Sequence, residues 1–228
     1  MSGRFKDKKL FILDMDGTIY LDETPLPGAR EFIKAAKSRG TRIIYFTNNA
    51  SKSIAMYYEK LNRLGFDVSD GDVISSADVT IDYIKRCHKN QSVYLVGTPA
   101  LEKSFSDSAV RLSDGTEADI VVVSFDTTVT YEKLKNACNL INNGALFYST
   151  HPDLTCPVKD GFIPDSGAIC ALITAATGKS PRYFGKPYYE TAQYLVSHAG
   201  VDFASAAVVG DRLYTDIALG KNHGITSV

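Results

Sequence analysis

Lys9-Leu10-Phe11-Ile12-Leu13-Asp14-Met15-Asp16-Gly17-Thr18 is the stretch that decides the fold. Four apolar residues, Leu10 to Leu13, read as a buried strand that ends abruptly in two carboxylates. Buried acids are costly unless they are paired, hydrogen-bonded or bound to a metal. The carboxyl end of a strand is also where open α/β sheets bind their ligands. Gly17 lets the backbone turn sharply straight afterwards. If the chain stays extended, Asp14 and Asp16 share one face; if the turn begins at Met15, they flank one reacting atom instead. Read alone, the stretch is equally a strand end closed by an Asp-Gly turn. The rest of the chain has to decide.

Working outward, the pattern alternates strand and helix. A connector up to Pro27 leads to a helix predicted over 28–39, with Ala29, Phe32, Ile33 and Ala36 on one face. A second strand, 41–46, ends in Thr47-Asn48-Asn49-Ala50-Ser51, and a second helix follows, capped by Ser51 or Ser53 and stopped at Gly65. This is the grammar of a parallel, doubly wound sheet. It restarts near residue 89, with strands at 92–96, 120–124 and 145–149 and helices at 99–105, 130–142 and 166–176. It returns to the opening style after residue 181, with a helix at 188–198, a strand at 206–209 and a helix at 214–221. The predicted organisation is an α/β protein: a doubly wound, Rossmann-like core from 1–80 and 182–228, interrupted by an α/β domain at 81–181.

Composition excludes several alternatives. The 228 residues are 44% hydrophobic and 22% charged, with a formal net charge of -1, so there is no long-range pull toward nucleic acid or anionic membrane. No secretory or membrane-spanning run is present. The scattered aromatics form no base-stacking platform. Cys87, Cys138, Cys156 and Cys170 lack CxxC spacing and read as reduced thiols, which points to the cytoplasm. Gly178-Lys179-Ser180 resembles the end of a P-loop, but Ile173 stands where its first glycine belongs.

Three further polar signals fall at element ends in the first module: Thr47 after a strand, Lys186 before a helix, and Gly210-Asp211 followed by Asp216 after a strand. Each has an ordinary reading alone, as a strand-end hydroxyl, a solvated lysine or a first-turn acid. Together they gather four carboxylates, a hydroxyl and an ammonium at one sheet edge. Such acids repel one another and drive their pKa values upward, and a hard cation such as Mg²⁺ resolves the conflict. Mg²⁺, a lysine and a hydroxyl suit a phosphoryl group. A carboxylate held against its phosphorus can attack it, and a second can move the protons.

In this order the motifs resemble the haloacid dehalogenase superfamily: Asp14-Met15-Asp16-Gly17-Thr18, Thr47-Asn48-Asn49, Gly185-Lys186-Pro187, and Gly210-Asp211 with Asp216. Residues 14–53 and 211–217 are similar to its NagD-like, or 4-nitrophenylphosphatase-like, branch, whose α/β cap the insert resembles. The resemblance implies a Mg²⁺-dependent phosphatase acting on a small phosphorylated metabolite through an aspartyl-phosphate. It implies Asp14 as nucleophile and Asp16 as general acid/base, the second acid that dehalogenases lack. Gly17, Thr47, Asn48, Asn49 and Lys186 are implied at the phosphoryl group; Asp14, the Asp16 carbonyl and Asp211 at Mg²⁺; and Asp216 in support. A cap-mediated homodimer is a further implication. Two departures stand out. His151 in Thr150-His151-Pro152-Asp153 replaces an Asn of the branch, which makes His151 and Asp153 candidate determinants of leaving-group choice, although His151 also reads as an ordinary loop residue. Relatives also continue past Val228, so a chain ending there is expected to expose a sheet edge and lose stability. Two rival functions use the same residues: a phosphomutase, and a phospho-aspartate receiver.

Overall fold

The apolar run forms β1 (Leu10–Leu13) in a computed structural model that describes residues 5–158 and 160–228. All four of its side chains are buried, as in a parallel strand covered on both faces. A small hairpin, β2 (Tyr20–Leu21) and β3 (Thr24–Pro25), precedes α1 (Ala29–Lys37), β4 (Arg42–Thr47), α2 (Ile54–Arg63) and β5 (Val73–Ser75). The middle of the chain supplies α3 (Ser76–Cys87), β6 (Val93–Val96), α4 (Pro99–Asp107), β7 (Ile120–Val123), α5 (Tyr131–Asn142) and β8 (Leu146–Ser149). It continues through β9 (Thr155–Val158), β10 (Gly161–Pro164), α6 (Ser166–Thr177) and β11 (Arg182–Tyr183). The last part holds α7 (Tyr189–Ala199), β12 (Ala206–Val209), a π-helical segment (Leu213–Ile217), α8 (Ala218–His223) and β13 (Thr226–Ser227).

The first sheet runs β13-β12-β1-β4-β5 and is parallel throughout. Leu13 stands opposite both Val209 and Tyr45. The chain leaves β1 toward β4 on one side and returns to it through β12 on the other. That reversal opens a crevice at the carboxyl ends of the central strands, so the ends of β1, β4 and β12 carry the polar motifs to one edge. Phe11, Leu13, Ile33, Ile43, Tyr45, Tyr57 and Leu61 form the core on one face of this sheet. The second sheet, β11-β8-β7-β6, is also parallel, and Val121, Val123, Ala137, Leu140, Ile169 and Ile173 pack between it and α5 and α6.

Among the described residues the chain forms two compact units. The first comprises the residues up to Thr47, Ile54–Ser75 and Lys186–Val228; the second comprises Asn48–Ser53 and Ser76–Gly185. The main span of the second unit is thus Ser76–Gly185, where the sequence reading set the insert at 81–181, and the unit also includes Asn48–Ser53. Contacts explain the shift. The Ser76 hydroxyl donates to the Asn48 carbonyl at 2.6 Å, and the Thr98 hydroxyl to the Ser51 carbonyl at 2.9 Å. On α3, Tyr83 packs against Phe184 with ring centroids 4.9 Å apart and accepts a 2.6 Å hydrogen bond from Arg182.

Local chemistry sets the insert's helices. Thr130 caps α5 by accepting from the Lys133 N–H, and Asp165 caps α6 by accepting from the Ser166 N–H. The start of α6 also seats tightly on the loop after β8: a Cβ built on Gly167 would collide with the Pro152 carbonyl oxygen. Backbone cannot yield as a flexible side chain can. Gly167→Ala is therefore expected to lower stability by roughly 1–3 kcal/mol, read by urea denaturation; an unchanged midpoint would show that this seat is loose.

Candidate active site

Asp14 leaves β1 as the first residue beyond its buried run, and its N–H donates to the Val209 carbonyl at 2.9 Å. The chain then turns on Met15, whose carbonyl accepts from the N–H groups of Thr18 and Ile19. The turn thus begins at Met15, the second of the two geometries the sequence allowed. It places Asp14 half-buried and Asp16 exposed. The Thr18 hydroxyl approaches Asp14 Oδ2 at 3.4 Å. Gly17 is required twice over: its φ is +87°, and a Cβ there would stand 2.7 Å from Asp211 Oδ2.

The centre of the site is Lys186. Its side chain is 3% exposed, and its Nζ lies 2.5 Å from Asp14 Oδ1 and 2.6 Å from Asp216 Oδ1. The ammonium also stands 5.4 Å from the centre of the Phe46 ring. Burial works against this charge, but Asp14 and Asp216 outweigh it and hold the ammonium above its usual range. Burial likewise pushes the Asp14 carboxyl up to about 6; Lys186 opposes the rise, while Asp216 and Asp211 add to it.

Asp216 contacts Lys186 directly. The predicted helix over 214–221 instead opens as a π-helical segment, in which the N–H groups of Asp216 and Ile217 both reach the Arg212 carbonyl. This wider turn carries the buried Asp216 side chain over Gly210, where a Cβ would overlap its Cγ. Insertions of this kind concentrate at functional sites. Asp14, Asp211 and Asp216 bring carboxylate oxygens within 4.8 Å of one another. One ammonium cannot balance three such groups, and an all-oxygen donor set is what hard divalent cations take.

The other expected residues divide between the two units. Thr47 closes β4 in the first unit and is buried. Asn48 and Asn49 follow it directly but belong to the second unit, where Asn49 Oδ1 accepts from the Ser51 N–H and hydroxyl. His151 and Asp153 are also in the second unit, both buried, with Asn48 Nδ2 donating to Asp153 Oδ2 at 3.2 Å. Sequence reasoning missed Asp165, whose carboxylate faces His151 at 3.5 Å. Its one signal was the cap-like Pro164-Asp165-Ser166 ahead of an apolar helix.

Comparison with known proteins matches this arrangement. A family model described as haloacid dehalogenase-like hydrolase covers residues 11–111, and a HAD-hydrolase-like model covers residues 183–228. An acid sugar phosphatase of Staphylococcus epidermidis is 34% identical over 223 residues, spanning 98% of this chain and 86% of the relative. The crystal structure of a 4-nitrophenylphosphatase from Thermotoga maritima superposes with a TM-score of 0.94 at 43% identity, covering 98% of this chain and 86% of that one. NagD from E. coli K-12 gives 0.89 at 29% identity, covering 96% and 86%. A crevice lined with acids at the switch point of a doubly wound sheet, interrupted by a second α/β unit, is the plan of one class of hydrolases. The chain belongs to the haloacid dehalogenase-like hydrolases, in their NagD-like branch.

Removing Lys186 would leave Asp14 and Asp216 without the charge between them. Lys186→Met is expected to cost about 3–5 kcal/mol in metal-free buffer, against less than about 0.5 kcal/mol for the exposed Lys85→Met. Equal urea midpoints for the two variants would contradict the central place given to this ammonium.

Proposed function

We propose that the chain is a Mg²⁺-dependent phosphatase that hydrolyses small phosphomonoesters through an aspartyl-phosphate. One observation carries this reading: a buried ammonium held between Asp14 and Asp216, with Asp211 completing a cluster of three carboxylates at the edge of a parallel sheet. The first compact unit is assigned as the catalytic core, and the second as a cap that selects the leaving group. Sugar and aryl phosphates come first among the proposed substrates, a ranking supported by the names of the relatives, acid sugar phosphatase and 4-nitrophenylphosphatase, with nucleotides as a further class.

Asp14 attacks phosphorus through a carboxylate oxygen, and the bond from phosphorus to the leaving oxygen breaks. Asp16, exposed beside the turn, gives its proton to that oxygen. It then takes a proton from the water that attacks phosphorus, which frees phosphate and restores Asp14. Lys186 holds Asp14 as a carboxylate and offsets charge on the phosphoryl oxygens. The Thr47 hydroxyl and the backbone around Gly17, Asn48 and Asn49 bind those oxygens. Mg²⁺, when bound by Asp14, the Asp16 carbonyl and Asp211 with Asp216 in support, neutralises phosphoryl charge. The fit is supported by the crowded carboxylates of Asp14, Asp211 and Asp216.

The test is phosphate release from a panel of sugar, aryl and nucleoside phosphates, with Mg²⁺ and with EDTA. Turnover is expected to depend on Mg²⁺ and to fall at least about a thousandfold in Asp14→Asn. Turnover that survives this substitution would remove Asp14 as the nucleophile.

A further inference from the structure

His151 has no place in the chemistry just described, yet its environment is specific. The side chain is 0% exposed, and among the described residues neither ring nitrogen has a hydrogen-bond partner. Each nitrogen nonetheless faces a carboxylate: Nδ1 lies 3.6 Å from Asp153 Oδ2, and Nε2 lies 3.5 Å from Asp165 Oδ1. Both acids are themselves buried. A carboxylate only accepts, whereas a neutral imidazole carries one donor and one bare lone pair. One nitrogen of a neutral ring would therefore point a lone pair at a carboxylate in a buried site. With a proton on each nitrogen both contacts become attractive, and a shift of a few tenths of an ångström closes both hydrogen bonds.

The two acids lead to different places. Asp165 caps α6, its Oδ1 accepting from the Ser166 N–H at 2.6 Å. Asp153 accepts from Asn48 Nδ2, and its carbonyl accepts from the Gly167 N–H at 2.8 Å. Asn48 is further fixed through its carbonyl by the Ser76 hydroxyl, and its Oδ1 lies so close to Gly185 that a Cβ there would stand 2.7 Å away. The chain α6–Asp165–His151–Asp153–Asn48 thus ends on the residue that directly follows Thr47.

We propose that His151 is a positioning residue: donating from both ring nitrogens, it ties Asp153 to Asp165 and so fixes Asn48, whose backbone binds the phosphoryl group. This rests on the phosphatase reading. It also replaces direct selection of the leaving group by His151, because a fully buried ring held between two acids has no surface to offer a substrate.

The experiment compares His151→Asn, Asp165→Asn and the double variant. In His151→Asn one carboxylate is left facing an amide oxygen. In the double variant the amide introduced by Asp165→Asn can donate to that oxygen and still cap α6, since asparagine caps as well as aspartate. Each single variant is expected to lower Tm and to raise the inhibition constant of inorganic phosphate about tenfold, a loss near 1.4 kcal/mol. kcat/KM should fall by one common factor on 4-nitrophenyl phosphate and on a sugar phosphate, mainly through KM. The double variant should recover at least half of each logarithmic loss. An unchanged phosphate constant, losses that differ between the two substrates, or losses that add in the double variant would overturn the proposal. Histidine ¹⁵N spectra, assigned against His151→Asn, give a readout that needs no activity. Protons on both ring nitrogens support the double donor; a bare nitrogen, whether from a neutral ring or a bound metal ion, overturns it. If wild type turns over no phosphomonoester, the phosphatase reading fails, while the spectra and the Tm recovery still decide what His151 does.

Discussion

The structure around the site depends on one ammonium between two acids. Lys186 meets Asp14 from the end of β1 and Asp216 from beyond β12, at 2.5 and 2.6 Å. These three residues are far apart in sequence, so the contact exists only if β1 and β12 pair in parallel and Lys186 enters between their ends. Several local features serve this constraint. Gly17 and Gly210 leave no Cβ where Asp211 and Asp216 must lie, and the π-helical turn delivers Asp216 inward. A charge buried this deeply is tolerable only with partners this close, so the lysine and the acids stabilise one another and neither is dispensable.

The same arrangement stores a conflict that a ligand can relieve. Burial raises the Asp14 carboxyl, and two neighbouring acids raise it further against a single lysine. A cation or a phosphoryl group entering the cluster changes that balance, which is how a fold can hold acids ready for chemistry without unfolding over them. The second unit carries its own polar chain, from the cap of α6 through His151 to Asn48. Under the proposed mechanism the two units therefore prepare different atoms: the first the nucleophile and its counter-charge, the second the backbone that follows Thr47.

Much of this was legible in the sequence, and for physical reasons. Leu10 to Leu13 is apolar without alternation because both faces of β1 are covered, and such runs broken by helical periodicity announce a parallel sheet. The motif residues stood out because acids and lysine at strand ends are expensive unless they are used. Other features left a weaker signal or none. Asp216 looks like any first-turn acid until the π-helical turn redirects it. The hairpin of β9 and β10 was invisible because it is short, largely exposed and contains Pro157, so no apolar alternation marks it. The membership of Asn48–Ser53 in the second unit depends on hydrogen bonds to Ser76 and Thr98, and spacing along the chain does not encode those. Asp165 was lost for a related reason: a helix cap explains it fully until His151 is seen beside it.

The central claim is that Asp14 becomes covalently phosphorylated during turnover, and it can be tested at that atom. Asp16→Asn protein, which lacks the base that activates water, would be mixed with 4-nitrophenyl phosphate and Mg²⁺, quenched, reduced with borohydride and digested. An acyl phosphate is reduced to the alcohol, so the account predicts homoserine at position 14 in the mass spectrum, dependent on substrate and absent without it. Turnover by wild type with residue 14 recovered as aspartate in both proteins, or with the modification on another residue, would contradict the account.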